Sequence, residues 1–323
     1  MSKILNIVNG DACINIMKVA EIKGDFLPWK DFLHAGPVPT HASLEELSKI
    51  RAKFIASCGF GSLQEVNLDF LQRNQKLLNY ENYEKIILWF EHDLYDQLQL
   101  IQILAWFSKR NLTKINLTLI CTNNYLGEST SQQIKKLLHY ETTINKKHLD
   151  LAQETWLAFG QKTPKRFAKI LDKPTAILPF LQATIYRMLE EYPSTKYGLS
   201  RTEHQALLII ASGIDNKVDI FVKNQIFEEK KFMGDIIFWK ILDNFEKYKV
   251  VKNNDGRLSI TFLGEQLLEG TENWVGIKTP SHYLGGVKLD SENLWCWDID
   301  KKEIKQYYYS KPLKSLLKVK QLL

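Results

Sequence analysis

Along the first 125 residues, short apolar runs alternate with stretches of helical period. Lys3–Asn9 (KILNIVN) reads as a strand, Ala12–Ala20 as a helix and Gly24–Trp29 as a second short strand, while Ser43–Ser57 and Leu63–Asn79 carry apolar residues at helical spacing. Lys85–Phe90 (KIILWF) is a β-branched and aromatic run of the length of a buried strand. Leu94–Arg110 follows as a long helix, and Lys114–Cys121 (KINLTLIC) closes the series. Strand and helix in alternation predict an α/β unit: a mostly parallel sheet covered on both faces, Rossmann-like in the loose sense.

From residue 126 to about 195 the pattern is helical only, which predicts a helical connector. A new unit opens at Ser200, which with Glu203 spells the Ser-x-x-Glu capping box of a helix running to Ser212. Helices over Val218–Glu229 and Met233–Tyr248 follow. Then come Val250–Lys252, an Asn254-Asp255-Gly256 turn and Arg257–Ile260, the signature of a hairpin. Three helices and a hairpin over 196–270 give an α+β, winged-helix-like layout. The last segment, 271–323, offers short strands at Tyr283–Leu289, Leu294–Asp298 and Ile304–Tyr309 and a basic tail.

Composition narrows the class. With 323 residues, 45% hydrophobic and 25% charged, the chain has the make-up of a globular protein of about two domains, and neither disorder nor a collagen-like repeat fits. Cys13, Cys58, Cys121 and Cys296 are too dispersed for a CxxC pair or a disulfide framework, which points to a reducing compartment. The apolar run after Met1-Ser2-Lys3 is too short for a signal peptide, and nothing approaches the roughly 18–20 apolar residues of a membrane span. A cytoplasmic protein without membrane contact is expected. The net charge of +6 is local: residues 301–323 hold seven lysines against Glu303, so the rest of the chain is balanced.

Several segments carry a family resemblance. Val8-Asn9-Gly10-Asp11, the run Gly24–Asp31 (GDFLPWKD), His34–Pro39 (HAGPVP), Arg51-Ala52 and the run Leu88–Leu100 (LWFEHDLYDQLQL) resemble the bacterial family called domain of unknown function 1835. Tyr283–Gly286 and Trp295–Asp298 resemble the longer members, so the likeness spans nearly the whole chain. It implies kinship with no reaction and no catalytic residues to carry over.

Candidate chemistry therefore rests on the residues themselves. In open parallel sheets ligands bind beyond the carboxyl ends of the strands, where helix N-termini face the crevice. At those ends this chain places Asn9-Gly10-Asp11, then Asp31 and His34, then Glu91-His92-Asp93, then Thr122-Asn123-Asn124. Asp11 and Asp93 also suit helix caps, and Asp96 suits the helix dipole. Glu91 and His92, set directly between a strand and its helix, are the acid/base candidates, since flanking carboxylates tune a histidine for work near neutral pH. Asp11, Asp31, His34, Arg51, Asp93 and Gln97 are the expected ligand contacts. For Arg51 and Lys30 the competing reading is a surface salt bridge. Asp11, Asp31, Glu91 and Asp93 are oxygen ligands of the type Mg²⁺ takes, but no recognised metal loop is present, so no metal is assigned.

Other motifs are missing: no Gly-x-Gly-x-x-Gly follows the first strand, and there is no Walker lysine, no nucleophile elbow and no zinc signature, which leaves any cofactor unknown. Cys13 near a helix start offers a nucleophile only if its thiol is acidified there; a buried small residue is the competing reading. The helix Met233–Lys247 carries three acids, two lysines and many large apolar groups, which suits burial better than a major groove. Trp295 and Trp297, alternating on a strand, read as core. The expectation is a hydrolase or group-transfer enzyme acting on a small anionic or nucleotide-like ligand. The alternative is a ligand-sensing regulatory or nucleic-acid-associated protein, nucleic acid being disfavoured and a protein partner falling to the C-terminal region.

Overall fold

The computed structural model describes residues 3–310 and 315–318 and divides the chain into two compact units. One comprises the residues up to Gln161 together with Ile170–Thr184; the other comprises Lys162–Lys169 and the residues from Ile185 on. Residues 126–195, expected as a helical connector packed on the sheet, fall partly in each unit. No helix among the described residues is long and apolar enough to cross a membrane.

The first unit contains β1 (Ile4–Val8), α1 (Ile14–Val19), β2 (Asp25–Pro28), the two-residue β3 (Gly36–Pro37), α2 (Leu44–Ser57), α3 (Leu63–Leu78), β4 (Lys85–Phe90), α4 (Leu94–Phe107), β5 (Asn116–Cys121), α5 (Ser131–Leu137), β6 (Thr142–Thr143) and α6 (Lys146–Phe159). Five strands form one mixed sheet in the order β2-β1-β4-β5-β6. The first four are parallel, and β6, which nothing in the sequence announced, is antiparallel. Central β4 is buried on both faces, as its unbroken apolar run requires. Ile87 and Trp89 join Val8, Met17, Ile120 and Ile134 in the core under α1 and α5.

Several buried polar groups inside this unit are matched across elements. The Asn6 amide on β1 donates to the Lys23 and Asp25 carbonyls and accepts from the Trp89 indole at 3.0 Å. Helix α4 is apolar on nearly every side and buried throughout, and its glutamines fill specific positions: Gln102 accepts from the Trp29 indole at 2.7 Å and Gln99 donates to the Asp31 carbonyl at 3.1 Å. Ser43 with Glu46 and Ser62 with Glu65 form complete capping boxes that start α2 and α3.

The second unit holds α7 (Lys165–Lys169), most of α8 (Leu181–Leu189), then α9 (Arg201–Ala211), α10 (Lys217–Phe227), α11 (Asp235–Lys247), β7 (Val251–Asn254), β8 (Arg257–Ile260), α12 (Phe262–Glu269) and α13 (Trp274–Ile277). The Ser200–Glu203 capping box and the β7–β8 hairpin stand as the sequence spelled them. Helix α11 buries Phe238, Leu242 and Phe245. The single strand expected over Tyr283–Leu289 is instead a tight hairpin of β9 (His282–Gly285) and β10 (Val287–Leu289). Gly285 sits at φ +62°, a conformation open to glycine, and the chain reverses there. Next, β11 (Leu294–Asp298), β12 (Glu303–Ser310) and β13 (Ser315–Lys318) form an antiparallel sheet in which Trp295 and Trp297 are buried. Part of the expected basic tail therefore pairs as strand; three of its lysines, 311, 314 and 320, lie outside the described residues.

Candidate functional site at the carboxyl edge of the sheet

Strands β1 and β4 are neighbours, but their successors lie on opposite sides: β2 beyond β1, and β5 beyond β4. Loops leaving their carboxyl ends diverge and open a crevice between them. Asn9-Gly10-Asp11 leaves β1, and Glu91-His92-Asp93 leaves β4.

On the β4 side, Glu91, Asp93 and Asp96 each offer an oxygen within 4.8 Å of the others, and all three are buried. Asp93 caps α4 by accepting from the Asp96 amide at 3.2 Å. Asp96 turns back to accept from the Glu91 amide at 2.5 Å, and Glu91 accepts from the Leu126 amide at 2.7 Å. Asn9 joins the two loops: its side-chain amide donates to Asp96 at 2.9 Å and is hydrogen-bonded to Glu91 as well. Burial, reinforced by Asp93, pushes the Glu91 carboxyl from its ordinary 4.5 up to about 7, although the Leu126 amide and Asn9 pull the other way. Burial, then the charges of Asp93 and Glu91, hold Asp96 well above the carboxylate range. Three carboxyls this close relieve their repulsion either by keeping a proton between them or by taking up an oxygen-seeking cation.

A cleft of about 650 Å³ lies on the β1–β2 side. Asn9, Gly10 and Asp11 from the β1 loop, Lys30 after β2, Arg73 and Lys76 of α3, Tyr95 of α4 and the rings of Phe26, Phe32, Phe60 and Phe70 all line it. Asn9 therefore faces the cleft and touches the carboxyl cluster at once.

The expected residues separate into three places. Asp11 lines the cleft, exposed, and pairs with Lys30 at 3.0 Å. Asp31 is fully buried against Arg51, whose Nε donates to it at 2.9 Å. The same guanidinium donates to the carbonyls of Phe32, Ala35 and Pro37. Arg51 is thus neither a surface residue nor free for a ligand's charge: it is the brace of the loop 31–37. His34 in that loop is buried against the rings of Phe32 and Tyr95. The four-carboxylate set of Asp11, Asp31, Glu91 and Asp93 does not assemble, because Arg51 draws Asp31 away and Lys30 holds Asp11 in the cleft; Asp96 takes their place beside Glu91 and Asp93. His92 is buried beside the rings of Tyr125 and Phe180, and it does not line the cleft. Gln97 donates to the Glu91 carbonyl and fixes the end of β4.

Cys13 is buried and its thiol is pushed up to about 12, by burial first and then by Glu91 and Asp96, which removes the nucleophile reading. Arg73 and Lys76 were not singled out by sequence, and Asn9 and Asp96 were noted at strand and helix ends without being assigned to the site. Asp96 passed for a helix-dipole residue. No family model matches the chain, and no curated protein matches it either.

Proposed function

We propose that the first unit is an enzyme of hydrolase or group-transfer type that holds a small anionic or nucleotide-like ligand in the cleft beside β1 and β2. The observation that carries this reading is Asn9, which lines the cleft while hydrogen-bonding the carboxyl pair Glu91–Asp96. A carboxyl with an affinity for protons near pH 7 is matched to acid/base work in the cell. In this scheme Glu91 exchanges the proton, Asp96 shares it, Asp93 fixes their geometry, and Asn9 hydrogen-bonds the pair and orients it toward the ligand. His92 is the second acid/base candidate. Asp11 contacts the ligand, whereas Asp31, His34 and Arg51 shape the wall behind it.

The sheet order supports a Rossmann-like description of this unit, and three helices with a hairpin support a winged-helix-like description of the other. Kinship with the domain of unknown function 1835 family rests on the quoted motifs. Free cysteines, three of them buried, fit a cytoplasmic setting.

A second reading, a ligand-sensing regulatory protein, is favoured by one feature: α10 exposes Val218, Val222 and Ile226 at intervals of one helical turn, a face suited to a protein partner. The two readings part in one experiment. The full chain is incubated with phosphate monoesters, diesters, amides and glycosides, and products are read by mass spectrometry. Turnover that falls about a hundredfold or more in Glu91→Gln supports the enzyme. Binding without turnover transfers the protein to the second reading, and the absence of both refutes the two together.

A further inference from the structure

The charges lining the cleft are unevenly matched. Lys30 is spent on Asp11 at 3.0 Å and Asp69 at 3.6 Å. Arg73 and Lys76, three residues apart on one face of α3, also line the cleft, and among the described residues neither is ion-paired to a carboxylate. Arg73 is buried, its guanidinium carbon 4.0 Å from the Trp29 ring centroid and 4.3 Å from that of Phe70. Its Nε and Nη2 donate to Asn74, and Nη2 also to Ser48, whereas Nη1 has no hydrogen-bond partner. Lys76 donates one hydrogen, to the Phe26 carbonyl at 2.9 Å, and an ammonium has two more to give.

A buried guanidinium without a counter-charge is costly, and aromatic faces offset only part of that cost. Burial lowers the Arg73 pKa to about 9, so the group is still cationic at neutral pH; Asp31 attracts it from a distance, but Arg51, which holds that carboxylate, opposes the attraction. Two cations on one wall, with donors to spare, are what a phosphate of two negative charges completes. The rest of the cleft offers complementary chemistry. Phe32 and Phe60, with ring centroids 4.9 Å apart, give an aromatic surface for a planar base, and Asp11 and Asp69 offer acceptors for sugar hydroxyls.

We propose that Arg73 and Lys76 form a phosphate subsite of this cleft and that its ligand is a mononucleotide, the phosphate on this pair and the base against Phe32 and Phe60. The assignment rests on the cleft being the ligand site, and it adds the substrate class.

Calorimetric titration of the full chain with AMP, adenosine, ribose 5-phosphate and inorganic phosphate tests it. AMP is expected to bind more tightly than any of the three fragments. Lys76→Met, at a half-buried position where folding is retained, is expected to weaken AMP by about tenfold or more and to leave adenosine unchanged. Arg73→Lys, which keeps the charge and loses the planar fork, is expected to weaken AMP and ribose 5-phosphate together. AMP binding equally well to wild type and Lys76→Met overturns the subsite. A protein that ignores AMP but is stabilised against heat by a phosphate-free member of the substrate panel also overturns it, and leaves the cleft standing as a ligand site. No binding by any compound ends both.

Discussion

Replacing Glu91 by glutamine isolates the buried carboxyl from everything else at the crevice. Glutamine keeps the shape and the oxygen that accepts from the Leu126 amide, and its new N–H groups can donate to Asp93 and Asp96, so at low pH the main loss is the bond from Asn9, which still donates to Asp96. In wild type the folded chain holds the Glu91 proton up to about pH 7, against an ordinary 4.5. Below 4.5 both folded and unfolded chains are protonated. As pH rises from there the unfolded chain ionises first, so stability falls across the window from 4.5 to about 7 and is level above it. At about 1.4 kcal/mol for each tenfold in proton affinity, the total loss is on the order of 3 kcal/mol. Glu91→Gln abolishes that slope and is expected to be more stable than wild type at about pH 8, with near parity at about pH 5. Because the chain has two units, the assay is amide hydrogen exchange read on peptides covering Ile4–Val8 and Lys85–Phe90, which reports opening of this unit alone. Variant protection relative to wild type should rise by roughly two orders of magnitude between the two pH values. An unchanged ratio would show that Glu91 ionises normally and would remove the basis for its acid/base role.

Three further outcomes follow from buried groups. Arg51→Leu leaves Asp31 charged and enclosed, and should cost the first unit about 3–5 kcal/mol in chemical denaturation. Gly36→Ala places a Cβ 2.5 Å from the Phe54 ring at φ +79°, and a loss of about 2–4 kcal/mol is expected by the same measurement. In the second unit Arg187 binds Glu228 and Glu191 and donates to Thr202, so Arg187→Leu should lower its thermal midpoint by several degrees and leave exchange in β1 and β4 unchanged.

Elements marked by local chemistry were legible. Lys85–Phe90 is a strand with the bounds its apolar run spelled, and the Ser-x-x-Glu cap and the Asn-Asp-Gly turn each signal a local hydrogen-bond pattern that distant residues do not alter. The crevice was legible as well, because strand ends and helix starts are adjacent in sequence. Tyr283–Leu289 was misread because apolar content outweighed the Gly-Gly pair that reverses it. Pairings across folded distance left no trace: Arg51 looks like a surface charge until the loop of Asp31 closes on it, and Asp96 looks like a helix-dipole residue until Asn9, 87 positions away, donates to it. Arg73 was hidden for the same reason, since charge on an amphipathic helix ordinarily signals water.

Asn9 also couples occupancy to acidity. Its amide favours the ionised form of both Glu91 and Asp96, so any molecule that claims those hydrogens tightens the pair's hold on its proton. Filling the crevice near neutrality then consumes acid from the medium, and by reciprocity a drop in pH improves the fit of whatever fills it.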